Sequence, residues 1–126
     1  MIPESLEPRI YALLRIVFGL MFLTYGLQKF GMLGGQAAPF LSWPFGIAGV
    51  LEVLLGALIA VGLFAKPAAF VASGEMAVAY FMVHQPQGAL PVMNQGIPAV
   101  LFCFAFLYVA TRGAGAMSID GGRVSR

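Results

Sequence analysis

The sequence predicts an all-α fold: an integral membrane four-helix bundle with both termini in the cytoplasm. Three observations carry that prediction. The 126 residues are 60% hydrophobic and 10% charged, with a mean hydropathy of +0.91, more apolar surface than a water-soluble core of this length can hide. The polar residues fall in clusters, leaving apolar runs over about 11–30, 44–64, 68–84 and 97–111. No run alternates in polarity as a barrel strand would, so helices are the expected spanning elements. The chain is read as one transmembrane domain over 1–126, with a cytoplasmic tail over 113–126.

The first run, Tyr11 to Phe30, has the roughly 20 residues that a hydrocarbon core of ~30 Å requires at about 1.5 Å per residue. Ahead of it, Met1 to Pro8 carries Glu4 and Glu7 but no basic residue before Arg9. The apolar run is also too long for a signal-peptide core, so this segment is expected to be retained. The following link carries MLGGQAAPFLS and ends before Trp43 and Pro44. The second run, Pro44 to Phe64, again has a spanning length. Phe64-Ala65-Lys66-Pro67 then forms a tight hairpin, which makes the second and third helices antiparallel neighbours. The third run, Ala68 to His84, is short, and the link after it holds Pro86, Gly88, Pro91 and Gly96. The fourth, Ile97 to Thr111, is the shortest; Pro98 suits a first helical turn, where its missing N–H is harmless.

Orientation follows from the basic residues. Arg9, Lys66, Arg112, Arg123 and Arg126 fall on the side of the termini, and Lys29 falls on the other. The positive-inside rule therefore directs both termini to the cytoplasm, with Trp43 at the outer interface. The basic balance is a topology signal and calls for no nucleic acid; the partners expected are the lipid bilayer and either other proteins or further copies of the chain. A single cysteine, Cys103, and a single histidine, His84, exclude a Cys-x-x-Cys redox pair and haem bis-ligation within the chain, and no metal site is expected.

Charges inside the runs mark the candidate site. Glu75 lies roughly 12 Å from the cytoplasmic hairpin, Glu52 roughly 17 Å, and Arg15 about 9 Å from the cytoplasmic end of its helix. Arg15 shares a stripe with Gly19, Phe22, Gly26 and Lys29, and Glu52 is flanked on its face by Gly49 and Gly56. A charge at mid-bilayer costs at least ~2.5–3.5 kcal/mol, so a buried network of Arg15, Glu52 and Glu75 is expected, with Arg15 against Glu75. It either fixes how the helices dock, handles protons or forms a polar head-group pocket, with Glu52 the better candidate for titration.

A second polar group gathers toward the outer side: Gln28 and Lys29, Tyr80 and His84 at i,i+4, and Asn94 with Gln95. Helical spacing turns Glu75 nearly opposite to Tyr80 and His84, so two separate sites are expected. These groups either anchor the chain at the interface or form a pocket for an amphipathic ligand such as a quinone, with Gln28, Lys29, Tyr80, His84 and Asn94 as its polar groups beside Phe30, Phe40 and Phe81.

The order of motifs also carries a resemblance. Arg15 and Gly19 with GLQKF at 26–30, GVLEVLLG at 49–56, GLFAKPAA at 62–69, EMAVAY at 75–80, a link with Pro91 and Asn94, and FCFAFLYVATRGAGAMSID at 102–120 together resemble the DoxX family of small four-helix membrane proteins. Where that family carries Asn-Gly-Gly-Glu, this chain has Asn94-Gln95-Gly96-Ile97, so the family's helix-four acid is absent. The resemblance implies a bacterial inner-membrane protein in a family named for a subunit of a terminal quinol oxidase or thiosulfate:quinone oxidoreductase. It also implies an accessory subunit more than a catalyst, with quinone as the candidate cofactor.

Three readings stay open on this basis. The first is a subunit associated with a quinone-linked oxidoreductase and holding no redox centre of its own. The second is a non-catalytic membrane anchor or assembly protein for partner enzymes, and the third a small-solute or proton pathway through Glu52 and Glu75. In the tail, Ser118 and Asp120 suggest contact or capping rather than chemistry.

Overall fold

The computed structural model describes residues 1–123 and is all-helical, with no strand among them. Arg126, counted in the orientation argument, lies outside the described residues. The longer helices are α1 (Glu7–Gln28), α2 (Phe45–Val61), α3 (Ala65–Ala79) and α5 (Ile97–Arg112); α4 (Pro91–Asn94) and α6 (Ile119–Arg123) are short. The span Glu4–Gln28 is long and apolar enough to cross a membrane, whereas Phe45–Val61 and Ile97–Arg112 are apolar but shorter.

Helix α1 starts several residues before the predicted Tyr11, because Pro8 fits the first turn, where no N–H is required. Helix α2 stops at Gly62, whose φ of 72° is a left-handed conformation that suits glycine. The Leu63 N–H then donates to the Leu58 carbonyl at 2.9 Å, a Schellman closure. Helix α3 begins at Ala65 rather than Ala68, because its first amides are capped from far along the chain. The Asp120 carboxylate accepts from Phe64 N–H at 3.0 Å and from Ala65 N–H at 2.9 Å, satisfying donors that a helix start leaves open. Past Ala79 the regular α-helix gives way to a π turn over Tyr80–His84 and a 3-10 turn over Gln85–Gln87. The extra residue in a π turn rotates the later side chains by about 100° relative to a continuous helix.

Helices α1 and α2 pack closely, as do α3 and α5, and the α2–α3 contact joins the two pairs. Glycine sets the first interface. A Cβ on Gly19 would stand 2.7 Å from the Ala60 nitrogen, and one on Gly56 would stand 2.7 Å from the Gly19 carbonyl oxygen. The backbones therefore touch with no room for a side chain, the small-residue contact that membrane helices use. Between the pairs lies an aromatic core: Phe22 and Phe106 are fully buried with centroids 5.0 Å apart, edge to face, and Phe102 packs 5.6 Å from Phe22. Outward, large apolar side chains are exposed on every long helix, among them Leu13, Val17 and Leu20 on α1, Leu54 and Val61 on α2, Phe70 and Val78 on α3, and Leu101 and Phe104 on α5. A water-soluble monomer of this size rarely shows so continuous an apolar exterior.

The two ends of the molecule differ. At one end Glu7 pairs with Arg112 at 2.7 Å, the Arg112 guanidinium lies 3.8 Å from the Tyr11 ring centroid, and Tyr11 donates to the Gly113 carbonyl at 2.5 Å. This gathers the start of α1, the end of α5, the α2–α3 hairpin and the tail. The other end holds the links between α1 and α2 and between α3 and α5, with a cavity beneath them.

Candidate functional site

Arg15 is wholly buried, and its environment corrects the pairing expected from the sequence. Nε donates to the Ile59 carbonyl at 3.0 Å; Nη1 donates to Ala114 and, at 3.0 Å, to Ala116; Nη2 donates to Ala60 at 3.3 Å and Met117 at 2.8 Å. A guanidinium has five N–H donors, and all are occupied. Ile59 and Ala60 lie in the last turn of α2, where carbonyls carry partial negative charge, and the Ile59 carbonyl accepts from Gly62 N–H as well, at 3.1 Å. The remaining acceptors belong to the folded-back tail. Arg15 therefore clamps α1 to the end of α2 and to the tail, and neither Glu75 nor Glu52 shares its network.

The acids have a different cation. Glu52 is 2% exposed, and its Oε1 lies 2.9 Å from the Lys29 ammonium, which follows the last turn of α1. Two close glycine contacts set this pair up. A Cβ on Gly26 would stand 2.7 Å from the Val53 nitrogen, and one on Gly49 3.0 Å from Lys29 Cβ, so α1 and α2 approach at the level where the lysine and the acid must meet. Glu75 stands beside Glu52 and within electrostatic reach of Lys29. Both of its carboxyl oxygens are buried, with no hydrogen-bond partner.

These groups open onto a cavity of about 340 Å³. Its polar lining is Lys29, Glu52 and Glu75 together with Gln28, His84 and Gln95; its apolar walls include Trp43, Phe45, Leu51, Met76 and Met82. Two sites were expected, and the structure brings one. The π turn after Ala79 removes the opposition that continuous helical spacing gives between Glu75 and His84. Phe30, Phe40 and Phe81, expected as pocket walls, do not line the cavity.

Tyr80 and Asn94 do not line it either. Asn94 is 1% exposed; it donates to Tyr80 Oη at 3.1 Å and to the Gly88 carbonyl at 3.0 Å, and accepts from Gly96 N–H at 2.9 Å. Those bonds shape the link over 88–96. His84 Nδ1 sits 3.1 Å from the Asn94 carbonyl oxygen; a carbonyl only accepts, so Nδ1 carries the proton. Gln28 donates to the Leu33 carbonyl at 3.3 Å on the exposed side.

Sequence reasoning passed over the walls from α2 and from the residues before it. A signal was present: Phe45, Ala48 and Glu52 recur at helical spacing on one face. Trp43 came from a link whose path no periodicity describes. Elsewhere Ser73 donates to the Cys103 carbonyl at 2.7 Å, tying α3 to α5. Among the described residues no group of three His, Cys, Asp or Glu side chains is arranged to hold a metal ion.

An all-α chain with an apolar exterior, a helix of membrane-crossing length and a charged cavity between its helices falls in the class of small membrane-associated helical proteins. Comparison with known proteins gives its family. The DoxX family model matches residues 10–85, and a relative from Haemophilus influenzae, described as an uncharacterized protein, is 41% identical over 128 residues, covering 93% of this chain and 92% of its own. The chain belongs to the DoxX family. No solved structure matches it. The motifs at 94–120 lie beyond the matched segment.

Proposed function

We propose that this protein is a small subunit of the bacterial inner membrane, crossing it four times as a four-helix bundle with both termini in the cytoplasm. In this reading it accommodates a quinone head group as the accessory partner of an oxidoreductase. The observation that carries the reading is the cavity: about 340 Å³, walled by aromatic and aliphatic side chains, with an ammonium at its edge. That volume lies at the lower end of the range for ligand pockets, roughly 300–1,000 Å³. Lys29 has three N–H donors, of which Glu52 engages one, leaving others for the carbonyl of a quinone. The rim residues Trp43, Phe45 and Met82 are exposed at 70%, 48% and 45%, so an isoprenoid tail would leave along an apolar surface.

Four crossings are supported by the segregation of charge. Arg9, Lys66 and Arg112 belong to the end where α1 starts, α3 starts and α5 ends, and Lys29 belongs to the other. Electrons come from a partner enzyme in this reading. In the anchor alternative the helix faces and the tail serve protein contacts; the tail carbonyls of Ala114, Ala116 and Met117 are held by Arg15, which fixes the path that such contacts would meet.

Quinone per chain, extracted after gentle purification from the native membrane and counted by mass spectrometry against an unrelated membrane protein, tests the reading. Near-stoichiometric quinone, lost in Lys29→Ala, is expected. Background quinone in the unaltered protein sinks it.

A further inference from the structure

The quinone reading leaves one group in the cavity without a partner. A quinone carbonyl only accepts hydrogen bonds, as does an ionised carboxylate, so a quinone cannot satisfy Glu75 in that form. Both Glu75 oxygens are buried and unpartnered, and the residue lines the cavity. The neighbouring Glu52 carboxylate is held by Lys29 at 2.9 Å, so the trio has one cation, already paired, for two acids, and Glu75 is ionised only when a further cation joins it. Of the other lining residues, Tyr25 and His84 can ionise, while α5 contributes Pro98 and Ala99 and no charge. The His84 Nδ1–H is turned to the Asn94 carbonyl and not to Glu75.

A carboxyl group in apolar surroundings either keeps its proton or is accompanied by a counter-charge. The cavity supplies walls suited to a cation. Tyr25, Trp43 and Phe45 line it, aromatic faces attract cations, and Tyr25 already has the Lys29 ammonium 5.8 Å from its ring centroid.

We propose that the cavity binds a lipophilic organic cation, an amine or quaternary ammonium bearing one ring or a short apolar chain, with its charge against Glu75 and its apolar part against Trp43, Phe45 and Met82. The cation takes the place of the proton on the Glu75 carboxyl, so that both acids are paired: Lys29 with Glu52, ligand with Glu75. This stands apart from the quinone reading; the two occupants would share the cavity and exclude one another, and each is measured on its own.

The test uses the full chain purified in detergent and equilibrium dialysis against benzyltrimethylammonium, with its neutral isostere neopentylbenzene as competitor. Saturable binding of the cation is expected, with little displacement by the isostere. Glu75→Gln is expected to weaken binding by at least about tenfold, and Lys29→Gln, which leaves a second carboxylate uncompensated, to tighten it. Absence of saturable binding, equal competition by the neutral isostere, or unchanged affinity in Glu75→Gln overturns the proposal. Where Glu75→Gln does not fold, the cation against its isostere on the unaltered chain decides. A quinone count on the same preparation separates the readings: cation binding with background quinone removes the quinone function and supports this one, and stoichiometric quinone with no cation binding does the reverse.

Discussion

Lys29 and Glu52 meet at 2.9 Å across the α1–α2 interface, and their exposures differ: 26% for the lysine side chain and 2% for the glutamate. The lysine can reach a polar surface along its flexible stem, whereas the glutamate cannot.

That difference gives the pair an asymmetric mutational response. Lys29→Ala leaves a buried carboxylate without its cation and is expected to destabilise the protein by roughly 3–5 kcal/mol. Glu52→Gln leaves a lysine that can turn outward and is expected to cost clearly less. Thermal unfolding of both variants in one detergent checks the order, and a larger loss in Glu52→Gln would contradict it.

Arg15→Lys keeps the charge and loses the fork. An ammonium has three donors where the guanidinium uses five, so at least two of these carbonyls lose the donor from Arg15, at about 1–3 kcal/mol for each that is left buried and unpaired. The tail is expected to come loose first. Limited proteolysis between Gly113 and Asp120 should cut this variant faster than the unaltered protein, and equal rates would show that Arg15 does not hold the tail.

Asp120→Ala removes a cap placed 55 residues away from the helix it serves. A loss of about 0.5–2 kcal/mol is expected, and Asp120→Asn should recover part of it. Hydrogen exchange at the Phe64 and Ala65 amides reads the cap directly; protection unchanged in Asp120→Ala would refute the role.

Two glycines separate packing from propensity. Gly56→Leu places a side chain where a Cβ alone would stand 2.7 Å from the Gly19 carbonyl oxygen, so α1 and α2 must part, and the protein is expected not to assemble. Gly74→Ala meets nothing within 4 Å and replaces a poor helix former in α3, for an expected gain of up to about 1 kcal/mol. Yield and elution on gel filtration, followed by melting temperature, distinguish the two outcomes.

Much of the site's composition was legible in the sequence, and its pairing was not. Glu52 and Glu75 are conspicuous because carboxylates in apolar runs are costly, and the glycines beside Arg15 and Glu52 announced where helices would touch. Arg15 was expected to hold Glu75, since depth along the helices brought them level. The competing acceptors were backbone carbonyls of the α2 terminus and of a tail that folds back, and a carbonyl has no letter in the sequence. Equally, nothing in YFMVH marks a π turn, yet that turn joins two expected sites into one.

The sequence by itself determined the helical class, the apolar exterior, the family and the residues that carry charge into the interior, because hydropathy, periodicity and residue type are local properties. Only the tertiary structure decided that Lys29 serves Glu52, that Arg15 serves the tail, that Asp120 caps α3 and that Glu75 is left facing a cavity. Those outcomes depend on distances between segments far apart in the chain, where several partners of suitable charge compete and geometry selects among them.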